Sequence, residues 1–315
     1  MVFVYAVIII AAIFIILTLF CSILAFKFAV TRKGLNVKGK NGHISEFGEY
    51  TDTILKGEEE ARALTYEDVF ITSYDGLKLH GFYIPAKNPE RVILAVHGFR
   101  GGPYRDFSMA VSRYHETGCT ILMPEQRTHG LSEGKYITYG IKERFDCLSW
   151  ARYISEEMPD IPIYLDGISM GAATVLMASG FDLPENIVGI IADSGFNAPK
   201  DIFSYVLKNL IKLPKFPLYY VFAFLCKVIA DFGVNEANTV DALKKCKLPI
   251  LFAHGRKDQL VPCDMTIMNY ESYDHDKVLM IGEEATHGLT YLTDSEEYTH
   301  KILRFFENCE KKGEA

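Results

Sequence analysis

The chain has 315 residues, 49% of them hydrophobic, and a formal net charge of -7 at pH 7. This length suits one large α/β domain with an additional segment and is too short for two ordinary large domains. The mild acidity argues against nucleic acid as the main partner, because no basic stripe is present to neutralise phosphates. Seven scattered cysteines without a C-x-x-C pair argue against a disulfide framework or a zinc site and favour reduced thiols.

Residues 1–27 are predicted to form a transmembrane helix. The run from Val2 to Phe26 carries no charge, and about 20 apolar residues suffice to cross the hydrocarbon core of a bilayer. Positive charges begin only at Lys27, whereas a cleavable signal peptide places them before a shorter apolar run. The positive-inside rule then predicts a single-pass membrane protein whose remaining chain is cytoplasmic. Residues 28–65 are interpreted as a juxtamembrane connector that is partly helical near its end.

Residues 66–315 show the alternation of strands and helices that is typical of an α/β domain. The first two strand-like runs flank Asp75-Gly76, which predicts a β-hairpin. Later runs such as Arg91–Val96 and Ile187–Ala192 are almost continuously apolar, as expected of strands buried on both faces of a parallel sheet. The predicted fold class is therefore α/β, with a mostly parallel central sheet and helices on both faces.

Residues 197–247 interrupt this alternation and predict an inserted helical cap. The segment is rich in large apolar side chains, and Pro214 and Pro217 divide it. Some of these side chains will pack on the core of the domain. So many aromatic residues in a short insertion also suggest an acyl-binding wall or contact with lipid.

A short stretch centred on Ser169 predicts a strand, a tight turn and a helix. Ile161–Leu165 is rich in strand-forming residue types, and good helix formers begin at Ala172. Between them, Gly167–Gly171 reads GISMG, a match to the G-x-S-x-G nucleophile elbow. A side chain on either glycine would crowd the turn, and the helix would direct its N-terminus towards an anion at the serine. Ser169 is therefore the candidate nucleophile.

A serine hydroxyl needs a base to accept its proton and an acid to orient that base. In an open α/β sheet, sites form at the carboxyl ends of strands, so we considered only loops that follow predicted strands. Asp258 follows the penultimate predicted strand, and His287 follows the last one. The chain order is serine, aspartate, histidine.

These motifs resemble those of the α/β-hydrolase superfamily, and the likeness extends from about Tyr66 to the C-terminus. The four motifs that carry it are GISMG at 167–171, HGFRGG at 97–102, GRKDQLVP at 255–262 and THG at 286–288. The resemblance is closest to membrane-tethered or cytosolic members with a small helical cap, including serine aminopeptidase-like and monoacylglycerol lipase-like proteins.

The resemblance implies that Ser169 is the nucleophile, His287 the base and Asp258 the acid. It also implies an oxyanion hole formed by the backbone N–H groups of Phe99 and Met170. One loop departs from the superfamily's usual D-x-R-G-H-G-x-S pattern. It reads EQRTHGLS at 125–132, so that Glu125 replaces the aspartate and Thr128 the first glycine.

Two other aspartates are less favoured candidates for the acid. Asp193 follows the strand after the elbow and remains an alternative, since some α/β-hydrolases take the acid from that position. Asp166 directly precedes the elbow glycine, and we expect it to make local hydrogen bonds within the turn.

The other histidines and the glycine-rich loop are less favoured for a catalytic or binding role. We expect His97 to be structural, while His129 and His254, which both lie on loops at strand ends, remain minor alternatives for the base. Asp274–Asp276, with one histidine between two acids, is interpreted as a solvated turn rather than a metal site. Gly98–Gly102 lacks the G-K-[ST] ending of a phosphate-binding loop, so a nucleotide is not expected.

The sequence thus predicts a serine hydrolase that cleaves an ester, thioester or amide through an acyl-enzyme, with no metal or organic cofactor. The apolar cap and the membrane helix favour a lipophilic acyl ester as substrate, such as a monoacylglycerol or a lysolipid. Two alternatives stay open: a peptidase or amidase of the serine aminopeptidase type, and a catalytically silent binding module on the same fold.

Overall fold

The N-terminal helix precedes the α/β part of the chain. The computed structural model describes residues 1–32, 48–293 and 295–313. Helix α1 covers Val2–Val30 and, among the described residues, is the one helix long and apolar enough to cross a membrane, although a signal sequence would pass the same test. Part of the predicted connector, residues 33–47, lies outside the described residues. Its last part forms a helix, α2 (Thr51–Arg62).

The described residues form one sheet of eight strands. The strands are β1 (Glu67–Thr72), β2 (Lys78–Ile84), β3 (Arg91–Val96), β4 (Cys119–Pro124), β5 (Ile163–Ile168), β6 (Ile187–Asp193), β7 (Ile250–Gly255) and β8 (Lys277–Gly282). Their spatial order is β1-β2-β4-β3-β5-β6-β7-β8. The pairs β1–β2 and β2–β4 are antiparallel, and all the other pairs are parallel. The predicted mostly parallel sheet is confirmed.

Helices cover both faces of this sheet. They are α3 (Pro103–Asp106), α4 (Ser108–Glu116), α5 (Glu143–Glu157), α6 (Met170–Ala178), α7 (Pro199–Tyr205), α8 (Leu218–Ile229), α9 (Thr239–Leu243), α10 (Cys263–Glu271), α11 (Thr290–Thr293) and α12 (Ser295–Gly313). Trp150 of α5 is buried in the apolar cluster on one face, and Phe306 of α12 is buried in the cluster on the other. Burial on both faces explains why the central strands are apolar at successive positions.

Strand β5 is longer than the sequence suggested. It begins at Ile163 rather than Ile161 and continues through Asp166 and Gly167 to Ile168. The three last residues pair with β6, so ladder hydrogen bonds extend the strand up to the residue before the serine. The tight turn is therefore confined to Ser169 itself.

Helices α7, α8 and α9 lie between β6 and β7, in the segment predicted as a cap. The end of α1 packs directly on this segment. Ser22 Oγ donates a hydrogen bond to the Leu218 carbonyl oxygen at 3.3 Å, and Phe26 and Val30 share an apolar cluster with Phe222. The apolar helix is thus part of the folded structure at its C-terminal end.

Candidate active site

Ser169 occupies a strained turn between β5 and α6. Its backbone has φ 57° and ψ -116°, in a region that residues other than glycine rarely adopt. The adjacent strand holds it there, because the Ser169 N–H donates to the Asp193 carbonyl oxygen at 2.8 Å. This conformation presents the hydroxyl beyond the end of the sheet, as a nucleophile elbow requires.

The two elbow glycines have no room for a side chain. A Cβ atom on Gly171 would lie 1.8 Å from the Val96 carbonyl oxygen, and one on Gly167 would lie 2.5 Å from the backbone of Gly171. Both neighbours are backbone atoms, which cannot rotate away. Glycine at these positions therefore lets α6 approach β3 closely enough to form the turn.

We expect Gly171→Ala to destabilise the protein by about 3 kcal/mol or more, because the new methyl group meets the backbone of β3. The melting temperature should fall by roughly 6–12 °C in a thermal unfolding measurement. Gly233→Ala is the matched control, because a Cβ there has its nearest neighbour at 3.6 Å, an ordinary contact distance. Equal melting temperatures for the two variants would contradict this close packing.

His287 and Asp258 form a continuous hydrogen-bonded chain with Ser169. His287 Nε2 lies 2.9 Å from Ser169 Oγ, and His287 Nδ1 lies 2.6 Å from Asp258 Oδ2. Asp258 follows β7 and His287 follows β8, so pairing of these two strands brings their loops together. With Nδ1–H donating to the carboxylate, the Nε2 lone pair faces the serine hydroxyl. The arrangement is able to transfer the hydroxyl proton to the imidazole.

The loop after β3 passes beside the elbow. A Cβ placed on Gly98 would lie 3.2 Å from the Cβ of Ser169. Among the described residues, no acceptor is hydrogen-bonded to the N–H of Phe99, the next residue. Met170 is the first residue of α6, so its N–H has no partner within the helix. These are the two donors that the resemblance implies for an oxyanion hole, and that role stays a prediction.

Comparison with known proteins identifies the fold. No protein-family model matches the chain. The esterase Pf2001 of Pyrococcus furiosus superposes with a TM-score of 0.63 at 23% identity, covering 79% of this chain and 92% of the esterase. The α/β hydrolase GrgF of Penicillium sp. sh18 gives a TM-score of 0.61 at 18% identity, covering 78% of this chain and 99% of GrgF. The chain has the α/β-hydrolase fold.

Two further similarities are consistent with this assignment. An acylaminoacyl peptidase of Pyrococcus horikoshii gives a TM-score of 0.59 at 19% identity, covering 83% of this chain but 44% of the peptidase. The uncharacterised protein YqkD of Bacillus subtilis (strain 168) is 24% identical over 245 residues, which are 78% of this chain and 80% of YqkD. At such identities the likeness establishes the α/β-hydrolase fold alone.

The alternative acid, Asp193, directs its hydrogen bonds elsewhere. Its Oδ1 accepts from Ser194 Oγ at 2.8 Å and from Thr290 Oγ1 at 3.3 Å. Asp166 is buried within β5 and accepts from the Tyr114 hydroxyl at 2.8 Å, so the expectation of local turn hydrogen bonds was wrong. Because β5 continues past Asp166, its side chain faces the helix layer rather than the turn.

His97 and His129 hold the loops around the site. His97 Nδ1–H donates to the Gly98 carbonyl oxygen at 2.8 Å, and its Nε2 accepts from the Gln126 N–H at 3.0 Å. His129 Nε2 accepts from the Arg100 N–H at 3.1 Å. Burial lowers the pKa of His97 to about 4 and that of His129 to about 3. Both rings are therefore neutral near pH 7, as these acceptor roles require.

His254 is a second donor to the carboxylate of Asp258. Its Nε2 lies 3.0 Å from Asp258 Oδ2 and 2.9 Å from the Val261 carbonyl oxygen, and its Nδ1 lies 2.7 Å from Thr266 Oγ1. The other carboxylate oxygen, Oδ1, accepts from the N–H groups of Leu260 and Val261 at 2.8 and 2.9 Å. Both oxygens are thus satisfied, which holds the carboxylate in one orientation. The only sequence signal for this contact was the four-residue spacing in HGRKD.

Sequence reasoning missed two side chains that shape the loop after β3. Asp106 Oδ2 accepts from the Gly98 N–H at 2.7 Å. Arg100 has φ 52°, and its guanidinium donates to the carbonyl oxygens of Phe28 and Thr31, at 2.7 and 2.8 Å, where α1 ends. No local pattern connects residue 100 with residue 28, so only the folded chain reveals this contact.

The charges of the site shift two pKa values in opposite directions. Burial alone would raise the pKa of Asp258, but the positive charge of His287 and hydrogen bonds from both histidines hold it well below its usual range. Burial alone would lower the pKa of His287, but the charge and hydrogen bond of Asp258 raise it above its ordinary value of 6.5. Asp258 therefore stays ionised across the range in which His287 titrates.

We expect kcat/KM to rise with pH along a limb whose apparent pKa lies above 6.5, since only neutral His287 accepts a proton. The activity should be lost as pH falls through this value. Initial rates on a soluble ester between about pH 5 and pH 9 test this, and a wild-type limb below about pH 6 would contradict it.

Proposed function

We propose that the chain is a serine hydrolase that cleaves a carboxylic ester through an acyl-enzyme. The hydrogen-bonded chain from Ser169 through His287 to Asp258 is the observation that supports this most strongly. In this mechanism Ser169 Oγ attacks the carbonyl carbon, and His287 accepts the hydroxyl proton and returns it to the leaving group. Water then attacks the acyl-enzyme with His287 again as the base. This chemistry requires no metal or organic cofactor.

Charge develops on the carbonyl oxygen during both steps. The N–H groups of Phe99 and Met170 are proposed to hold this oxyanion, a contribution of roughly 3–4 kcal/mol per donor in related sites. Asp258 is proposed to orient His287 and to stabilise its charged form. Because all three side chains of this set are present and within hydrogen-bonding distance, the catalytically silent alternative has less support.

An aromatic row leads from the proposed oxyanion hole towards the cap. Phe99 stacks on Tyr139 with ring centroids 5.2 Å apart, Tyr139 meets Phe203 at 4.4 Å, and Phe203 meets Phe222 at 4.9 Å. Tyr139 and Phe222 are buried, while Phe99 and Phe203 are partly exposed. These two rings offer an apolar wall that suits a hydrocarbon chain better than a charged acyl group. We therefore favour a lipophilic acyl ester or thioester, such as a monoacylglycerol or a lysolipid, as the substrate class.

A series of esters that share one alcohol and differ in acyl length tests this proposal. We expect kcat/KM to rise by roughly tenfold for every two methylenes added, because each buried CH₂ contributes about 0.8 kcal/mol. A flat profile would contradict the lipophilic substrate. Faster release of amino acids from short peptides than of acid from esters would favour the peptidase alternative.

We also propose that α1 is a retained membrane anchor and that the domain lies on the cytoplasmic side. The packing of Ser22, Phe26 and Val30 on the domain supports a retained helix over a cleaved signal sequence. The positive flank begins at Lys27 and continues into residues outside the described part of the chain. Protection of the domain from protease in sealed right-side-out vesicles is expected, and digestion there would contradict this orientation.

A further inference from the structure

An apolar surface on the cap lies outside the proposed active site. We name it the cap outer face; its members are Leu210, Ile211, Leu213, Phe216, Tyr220, Phe224 and Val228, and all are exposed. Phe216 is 73% exposed and Phe224 is 65% exposed. Large aromatic side chains grouped in this way are uncommon on surfaces that face only water.

Helix α8 divides its apolar residues between two faces. Tyr219, Phe222 and Cys226 are buried against the domain, whereas Tyr220, Phe224 and Val228 follow one another at four-residue spacing on the opposite, exposed face. A helix on the surface of a water-soluble domain places polar residues on its outer face. The outer face of α8 is apolar instead, which points to an apolar environment around it.

The position of α1 identifies that environment. Any stretch of about 20 residues within Val2–Phe26, the length needed to span a bilayer core, includes Thr18. Thr18 is already covered by the rest of the chain, with 8% of its surface exposed. One turn later, Ser22 is bonded to the carbonyl oxygen of Leu218, where α8 begins. If α1 spans a membrane, part of the cap must therefore lie beside the span, at the edge of the hydrocarbon core.

Four exposed lysines lie on or next to the cap outer face. They are Lys208, Lys212, Lys215 and Lys227. Long lysine side chains extend from an apolar surface towards lipid phosphates, and Tyr220 and Phe216 are residue types that favour the membrane interface. The alternation of apolar and basic groups suits an anionic bilayer surface.

We propose that the cap outer face is immersed in the interface of the same bilayer that holds α1. The partner of this surface is the lipid itself. The inference rests on the proposal that α1 spans a membrane, and it gives the hydrolase direct access to substrates dissolved in the bilayer.

Depth-dependent quenching of a fluorophore tests this placement in the full chain. The background is Cys21→Ala, since Cys21 is exposed and the other six cysteines are buried. An environment-sensitive dye is attached at Phe224→Cys, and the protein is reconstituted in phosphatidylcholine vesicles with about one quarter phosphatidylglycerol and a nitroxide on the acyl chains. Ile10→Cys reports insertion of α1. Glu307→Cys is the matched exposed control, because Glu310 one turn later binds Arg91 at the opposite, amino end of the strands.

We expect the nitroxide to lower the emission of dye at residues 10 and 224 by at least about twofold and to leave dye at residue 307 unchanged. Quenching at residue 10 without quenching at residue 224 would overturn the proposal and leave a protein partner as the occupant of the surface. If neither position is quenched, α1 does not span the bilayer and the proposal falls with its premise.

A second variant separates this proposal from the proposed hydrolase activity. Phe224→Asp combined with Val228→Asp should keep the turnover of a soluble short-chain ester and lose at least about tenfold on an ester embedded in vesicles. An equal effect on both substrates would contradict a role for the surface in lipid access. Absence of any wild-type turnover would count against the proposed function, while the quenching result would still decide the placement of the cap.

Discussion

Replacing Ser169 with alanine should abolish covalent labelling by a fluorophosphonate probe and lower kcat by roughly 10⁵–10⁶-fold. The proposed nucleophile is the hydroxyl that His287 Nε2 contacts at 2.9 Å, and no other group in the proposed mechanism replaces it. His287→Ala should cause a loss of similar size, because the hydroxyl then has no base to accept its proton. The two effects should not add, since the residues act as one unit.

Labelling of purified wild type and variants, followed by ester hydrolysis, provides the measurement. Ser179→Ala is the matched control, because Ser179 ends the same helix and its hydroxyl donates to the Leu176 carbonyl oxygen, away from the site. It should keep full labelling. Labelling that survives Ser169→Ala would place the nucleophile elsewhere, and a folded wild type that takes no label would favour the binding-module alternative.

The sheet was predictable because its strands are distinctive and its topology restricts where polar groups meet. Ile187–Asp193 and Ile250–Gly255 are almost entirely apolar runs, which a two-sided parallel sheet requires. Once the strands are parallel, the loops after them converge at one edge. For this reason, candidates could be restricted to loops that follow strands, and the motifs around Ser169, Asp258 and His287 favoured these three over Asp193, His129 and His254. The structure brings the three side chains into hydrogen-bonding distance.

The supporting contacts were not predictable, because they join residues that are distant in the sequence or depend on backbone geometry. Arg100 reaches the end of α1, a contact between residues 72 positions apart. Thr128 has φ 73°, so a threonine occupies the conformation for which the superfamily's usual pattern supplies glycine. Propensity alone would not place a β-branched residue there, and the surrounding loop must impose the conformation.

Replacing Asp258 with asparagine should lower kcat by roughly 10⁴-fold while leaving the fold intact. The hydrogen bonds around the carboxylate dictate which way the new amide would turn. Oδ1 accepts from two backbone N–H groups, those of Leu260 and Val261, so the amide oxygen must occupy this position. The NH₂ group is then forced to the Oδ2 position, beside His254 Nε2 and His287 Nδ1. The Nε2–H of His254 can donate instead to the Val261 carbonyl oxygen at 2.9 Å.

An NH₂ group at that position can only donate, so His287 must present the lone pair of Nδ1 to it. The proton of the neutral ring then moves to Nε2, which faces Ser169 Oγ as a donor and is unable to accept the hydroxyl proton. Steady-state kinetics and the melting temperature of Asp258→Asn test this, with Asp193→Asn as the control that keeps kcat within about tenfold. A larger loss of kcat for Asp193→Asn than for Asp258→Asn would assign the role of the acid to Asp193. The change of tautomer follows only when the replaced carboxylate is the one that accepts the Nδ1–H of His287.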